Sequence, residues 1–275
     1  MVIPADLGAN SEKASPKYAE LAKALESGQF ELNIQLIYDI RKTSFVGGEA
    51  LSRWNHPEKG ILLPKHYIQD LHQCGLIKNL DFYMLECTCL ILEAWKESEL
   101  KDLQLSCNFS RATISEKGFY ERFTQIVNRY SFDREHLILE ITEDSISSDT
   151  ETARQNVLNC KSCGFLVALD DLGVGYTSFS DLCDFPVDII KIDKLIVQKA
   201  ITEQGQNVLT EMVQLAHNLN MQVLCEGVET EAELAAVRRC GCDYIQGFYY
   251  CRVLSVEQAV EFYHKNRMIG SAHKD

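Results

Sequence analysis

The sequence is short of positive charge. Its 27 lysines and arginines face 40 aspartates and glutamates, for a formal net charge of -13. Binding DNA or RNA as a polymer needs clustered cations to displace counterions, so no nucleic-acid polymer is expected as the main partner. A small phosphate ligand whose charge is met by bound metal remains compatible with this balance. Long apolar runs are missing as well, and no basic-then-apolar leader opens the chain. A soluble protein with no membrane segment is expected, cytoplasmic or the cytoplasmic domain of a longer one. No G-x-G-x-x-G follows any strand-like run, which removes the usual dinucleotide site. No His cluster is there to draw zinc, and no Ser, His and Asp set presents itself for nucleophilic catalysis. Neither an internal repeat nor a low-complexity region is visible.

Cysteine, by contrast, is plentiful. The eleven are scattered and odd in number, and many sit inside apolar runs (Cys87, Cys89, Cys107, Cys225), where the thiol behaves as a small hydrophobe. Cys160 and Cys163 form the one C-x-x-C, with no second pair at a zinc-ribbon distance. Reduced, structural thiols are therefore expected.

A chain of 275 residues is near the usual size of a single α/β barrel. Residues 1–15 are small, polar and aperiodic, and are expected as a tail or linker; residues 268–275 are expected as a second tail, leaving 16–267 as one domain. Pro16 to Glu26 reads as a short helix with Tyr18, Leu21, Ala22 and Leu25 on one face. Alternation then predicts two strands, Phe30 to Tyr38 and Phe45 to Trp54, joined by the turn at residues 41–44 as a hairpin. Beyond it, Leu80, Met84, Cys87, Ile91 and Trp95 recur at helical spacing, and strands alternate with helices to the end of the chain. Expected strands are Leu103 to Asn108, Leu137 to Glu140, Phe165 to Leu169, Val187 to Ile192, Gln222 to Glu226 and Tyr244 to Gln246. Expected helices are Phe119 to Tyr130, Thr150 to Cys163, one marked by Val208, Met212, Leu215 and Leu219, Glu231 to Arg239, and Val256 to Tyr263. Eight strands of which the later six alternate with helices suggest a closed α/β barrel, with the opening hairpin making one strand antiparallel. An open doubly wound sheet is the alternative.

Polar residues fall at one end of these strands. Glu49 lies in the second strand; Asn108, Glu140, Asp170 with Asp171, Glu226 and Gln246 each end a strand, and Lys191 sits inside the apolar run DIIKID. Because consecutive strand residues point to opposite faces, Asp170 and Asp171 are expected to serve one site only where the strand has ended, on a loop carrying Gly173 and Gly175. In a barrel all parallel strands finish on the same rim, so these residues converge. Five carboxylates, an amide and a lysine packed together need a counter-charge. Oxygen-only donors suit hard ions such as magnesium, manganese or calcium. Two such ions close together are a standard device for attack of water on a phosphate ester. Taken singly, each residue has a plainer reading: a rim carboxylate, a turn-forming Asn, or a solvated Asp-Asp turn.

Glu49-Ala50-Leu51-Ser52-Arg53 resembles the signature of the EAL family of cyclic di-GMP phosphodiesterases. Asn108-Phe109-Ser110, Glu140-Ile141-Thr142-Glu143, the run Asp170-Asp171-Leu172-Gly173-Val174-Gly175-Tyr176-Thr177-Ser178, Lys191-Ile192-Asp193, Glu226-Gly227-Val228-Glu229-Thr230 and Gln246-Gly247 resemble the family's other motifs, in family order. The resemblance runs from about Ala19 to Tyr263. It implies a modified TIM (β/α)8 barrel with its first strand antiparallel, hydrolysing cyclic di-GMP to linear pGpG with two divalent cations, Mg2+ or Mn2+. It further implies that Glu49, Asn108, Glu140 and Asp170 hold the first cation and Asp170 and Asp171 the second. Lys191 would orient the attacking water and Glu226 act as general base; Gln246 would support the metal shell and Arg53 contact a substrate phosphate. Gln35, Leu51, Asp193 and Gln246 join Arg53 as expected substrate-side residues. Glu143 would brace the loop holding Gly173, Gly175, Thr177 and Ser178, which in the family couples dimer contacts to the site, and Glu229 would play a supporting part. A homodimer is expected, with any regulatory domain outside this chain. Departures from the family pattern are Leu36, His72, Leu172, Val174 and Val253, none of them an expected ligand. A receptor module that binds cyclic di-GMP with little turnover, and a magnesium-dependent lyase or enolising barrel, are the competing readings.

Overall fold

A computed structural model of the chain describes residues 15–142, 151–172 and 185–266. Nearly all of both expected tails, Glu143, and the stretch holding Gly173, Gly175, Thr177 and Ser178 lie outside the described residues. Ten strands are present among those described: β1 (Phe30–Asp39), β2 (Ser44–His56), β3 (Gly60–Leu62), β4 (Gln104–Phe109), β5 (Leu137–Thr142), β6 (Leu166–Leu172), β7 (Ile189–Ile192), β8 (Gln222–Cys225), β9 (Tyr244–Ile245) and β10 (Leu254–Ser255). From β2 through β4, β5, β6, β7, β8 and β9 each neighbour is parallel to the last. β1 runs antiparallel to β2 on one side and to β9 on the other, which closes the barrel. That closure rules out the open sheet and leaves the eight expected strands as the barrel staves. The two additional strands, β3 paired to β2 and β10 paired to β1, are too short to carry a periodic signal.

The barrel interior is built in layers. Ile37, Ile138, Ala168, Ile189 and Leu224 form an apolar plug separate from the main core. Two residues further along each parallel strand, the same face of the pleat carries Glu140, Asp170, Lys191 and Glu226, and Gln246 follows Tyr244 in the same way. In antiparallel β1 the step runs backward, from Ile37 to Gln35. Period-two geometry thus converts one ring of apolar residues into an adjoining ring of polar ones. The larger core lies outside the staves, where helices bring Leu21, Leu25, Phe119 and Phe123 into one cluster with Phe30, Phe109 and Phe165 of the sheet side. The helix Pro16–Glu26 has the expected limits, with Ser15 accepting the Tyr18 N–H at 3.0 Å and Pro16 in the first turn.

Some helices differ from expectation. In the helix Glu203–Asn218 the buried stripe is Leu209, Val213 and Ala216, while Val208 and Leu215 are exposed. Both stripes are apolar in the sequence, and only packing on the barrel chooses between them. The short helices Arg111–Ile114 and Lys194–Lys199 were not anticipated, being at most six residues long.

Curling β2 against its neighbours needs residues without side chains. A Cβ on Gly47 would stand 2.3 Å from the Gln104 carbonyl oxygen, and one on Gly48 2.5 Å from Ile34 Cγ2. Gly47→Val should therefore lower stability by about 1–3 kcal/mol or more in urea unfolding. An unchanged midpoint would contradict this account of barrel closure.

Candidate active site

The polar ring is organised around the Lys191 ammonium, which is 2% exposed. Its Nζ lies 2.5 Å from Glu140 Oε1, 2.7 Å from Glu226 Oε1, 3.2 Å from Glu49 Oε2 and 3.3 Å from Asp170 Oδ1. Glu49 is held from two further directions: Asn108 Nδ2 donates to Oε1 at 2.8 Å and Gln246 Nε2 to Oε2 at 2.7 Å. Gln246 also donates to Gln35 Oε1 at 3.2 Å, and Gln35 Nε2 donates to the Cys251 carbonyl at 3.3 Å. Strand register explains the convergence, since Glu49 stands opposite Gln35 and Ser106, and Asn108 opposite Glu140.

Asp170 and Asp171 reach the site by a different route from the one anticipated. The strand has not ended there; β6 continues through Leu172, but its register against β7 slips between Leu169 and Leu172. Asp171 adopts a left-handed backbone with φ of 61°, which the short polar side chain of Asp tolerates better than most. A bulge inserts an extra residue and re-aims its side chain. Consequently Asp170, Asp171 and Glu226 each offer an oxygen to a group whose members lie within 4.8 Å of one another.

Burial and charge then set the protonation pattern. Desolvation pushes the Glu140 carboxyl well above its ordinary range, and the nearby Glu49 charge adds to this. Burial likewise lifts Glu226 to about 7, against the opposing pull of Lys191. Burial alone would raise Glu49 too, but the Lys191 charge and the Gln246 and Asn108 hydrogen bonds hold it below its ordinary value. Burial disfavours charge on Lys191 and is overcome by Glu140, Glu226, Glu49 and Asp170, so the ammonium persists. Four carboxylates share one ammonium, so the ring carries excess negative charge, and a proton held on Glu140 lessens that excess without removing it. Glu140 Oε2 is buried with no hydrogen-bond partner among the described residues, and buried Asp170 Oδ1 has no hydrogen bond beyond its ion pair with Lys191 at 3.3 Å. Buried acceptors left open in an oxygen-only donor set fit hard divalent cations.

The rim beside the ring opens into a cleft of about 540 Å³ lined by Glu49, Leu51, His72, Asn108 and Asp171, with Ile77, Leu80 and Met84 as its apolar wall. Arg53 is nearly buried, its Nη1 donating to the Ser52 carbonyl at 2.7 Å. Asp193 accepts the Leu195 N–H at 2.8 Å and so caps the helix Lys194–Lys199. Glu229 is exposed, and its backbone N–H donates to Glu233 Oε2 at 2.8 Å. Of the departures, Leu36 is core and His72 faces the cleft. Sequence reading overlooked Asp81, which lines the cleft and is buried at 7% exposure. Its signal was an acid within the apolar run LDFYML.

Fold and site together define a closed mixed α/β barrel with an acidic, oxygen-only cluster at the C-terminal edge of its parallel strands. The profile of the EAL domain matches residues 19–253, and the chain belongs to that family. It is 31% identical over 253 residues to an uncharacterised Mycobacterium tuberculosis protein, covering 91% of this chain and 41% of that one. It is 27% identical over 248 residues to the cyclic di-GMP phosphodiesterase RocR of Pseudomonas aeruginosa, covering 90% of this chain and 63% of RocR. The chain thus spans less than two thirds of the length of these relatives. Among solved structures, the PaMucR phosphodiesterase in complex with c-di-GMP superposes with a TM-score of 0.83 at 28% identity, covering 89% of this chain and 100% of that one. The FimX EAL domain of Pseudomonas aeruginosa bound to c-di-GMP shares the fold, with a TM-score of 0.80 at 23% identity over 87% of this chain and 97% of that one.

Glu226 has a raised folded-state pKa, so it holds its proton more tightly folded than unfolded. The contribution of Glu226 to stability should fall as pH rises from about 4.5 to about 7 and stay lower above. In chelator-treated protein, Glu226→Gln should raise the thermal midpoint by about 5 °C at pH 8 and leave it nearly unchanged at pH 4. A larger gain at pH 4 would show the sign to be wrong.

Proposed function

We propose that the chain hydrolyses one phosphodiester bond of cyclic di-GMP, giving linear pGpG and lowering the level of that messenger. The observation that carries this reading is the convergence of Glu49, Asn108, Glu140 and Asp170 on one ring, with Asp171 and Glu226 on its open side. Glu49, Asn108, Glu140 and Asp170 would hold one divalent cation, and Asp170 with Asp171 a second, Mg2+ or Mn2+. When bound, such a pair polarises the phosphate and stabilises both attacking and leaving oxygens.

The chain's own groups supply the rest. Glu226, a carboxylate on the open side of the ring beside Asp170 and Asp171, would accept the proton of the attacking water as general base. Lys191 holds Glu226 and Asp170 in place and orients the water. The water gives a proton to Glu226 as its oxygen bonds to phosphorus, the P–O3′ bond breaks, the departing O3′ takes up a proton from solvent to become a 3′-hydroxyl, and the product keeps a 5′-phosphate. Gln246, braced by Gln35, fixes Glu49. On the substrate side, Leu51 and the apolar cleft wall accept a base, and Arg53 and Asp193 act at the periphery. Glu143, Gly173, Gly175, Thr177, Ser178 and Glu229 belong to the supporting loops of this reading. No helix among the described residues is long and apolar enough to cross a membrane. The same reading makes the protein a homodimer, cytoplasmic or the cytoplasmic domain of a longer protein, with any regulatory domain outside this chain.

Incubation with cyclic di-GMP and Mg2+ should yield pGpG, chelator should stop it, and Glu49→Ala or Glu226→Ala should each lower turnover on the order of 10²–10⁴-fold. Separation of the nucleotides by chromatography reads the outcome. Undiminished turnover in chelator or in both variants would end this reading, and tight binding with no pGpG would favour the receptor module.

A further inference from the structure

Asp81 is an acid on the buried side of the helix Ile77–Trp95, between Leu80 and Phe82. A carboxylate there is costly unless its lone pairs are used. Its Oδ2 accepts from the Ser110 N–H at 2.9 Å, the Ser110 hydroxyl at 2.7 Å and the Thr113 hydroxyl at 2.6 Å. All three donors belong to the segment that leaves β4. Immediately before it, Phe109 packs against Phe82, Phe119 and Phe123 with ring centroids 6.4, 5.4 and 6.1 Å away. Asn108 precedes Phe109 and turns into the polar ring. Its Nδ2 is spent on Glu49, which leaves Oδ1 as the atom available to a cation.

We infer that Asp81 is a positioning residue for Asn108: by clamping Ser110 and Thr113 it fixes the tip of β4, and it thereby sets cation affinity from outside the coordination shell. This rests on the two-cation reading of the site. Asn108 is the only neutral donor in the proposed first-cation set, so charge does little to hold it there and geometry does most. The β4–β5 ladder holds Asn108 laterally, the β2–β4 ladder holds β4 up to Cys107, and the Asp81 clamp fixes the chain just beyond Asn108. Partners behind a metal ligand are typically worth 10–100-fold in affinity.

The test is a Mn2+ titration without nucleotide, following free Mn2+ by electron paramagnetic resonance, on wild-type protein, Asp81→Asn and Thr113→Val. Circular dichroism and thermal midpoints verify folding. Asp81→Asn keeps the shape and one acceptor oxygen but loses the charge, and should bind Mn2+ about tenfold more weakly. Thr113→Val removes one of three donors and should fall between it and wild type. Wild-type affinity in both folded variants, with only the thermal midpoint lowered, would overturn the inference by making the clamp merely structural. If Asp81→Asn does not fold, Thr113→Val decides alone: weaker Mn2+ binding supports the inference and wild-type affinity overturns it. Wild-type protein that binds no Mn2+ would remove the two-cation reading and this inference with it, whereas normal wild-type binding with unaffected variants removes this inference alone.

Discussion

One buried ammonium governs this molecule. Lys191 stands inside the barrel within 3.3 Å of four carboxylates from four different strands. Neither sign of charge would survive burial alone, and each is tolerated because the other is present. This mutual dependence fixes the rim. Withdrawing Lys191 would leave its buried carboxylates facing one another without a counter-charge, so β2, β5, β6, β7 and the residue after β8 are tied to a common point by electrostatics as well as by backbone pairing.

The layered interior makes such a ring affordable to fold. Directly beneath it, Ile37, Ile138, Ala168, Ile189 and Leu224 seal the barrel with apolar contacts. Water is thereby kept to one side, where Asp170, Asp171 and Glu226 are more accessible than Glu49, Glu140 and Lys191. The gradient from a closed floor to an open rim separates roles: the buried groups set geometry, and the exposed ones meet what arrives from solvent. The antiparallel first strand belongs to the same design, because it carries Gln35 into the ring and, through Gln246, steadies Glu49.

Much of this was legible in the sequence. Period-two alternation located the hairpin, and alternating strand and helix patterns gave the barrel with its polar strand ends. Lys191 in an apolar run was already a charge in need of partners. What could not be read was whatever depends on packing or on single-residue backbone geometry. The bulge at Asp171 leaves no periodic trace, since Asp-Asp reads equally as a solvated turn. The buried stripe of the helix Glu203–Asn218 was chosen by the surface beneath it. Asp81 was passed over because its partners, Ser110 and Thr113, lie about thirty residues away in sequence and meet it only after β4 is in place. Asp193, read as a substrate-side residue, is engaged as a helix cap, a local role that its position before Lys194 permits equally well.

The central claim is that the polar ring around Lys191 is preorganised to receive two divalent cations. Anomalous diffraction from a Mn2+-loaded crystal tests it most directly. The account predicts two peaks: one within coordinating distance, roughly 2.0–2.4 Å, of Glu49, Asn108, Glu140 and Asp170, and a second beside Asp170 and Asp171. Peaks elsewhere on the molecule, or an unchanged ring with no anomalous density at saturating Mn2+, would contradict it.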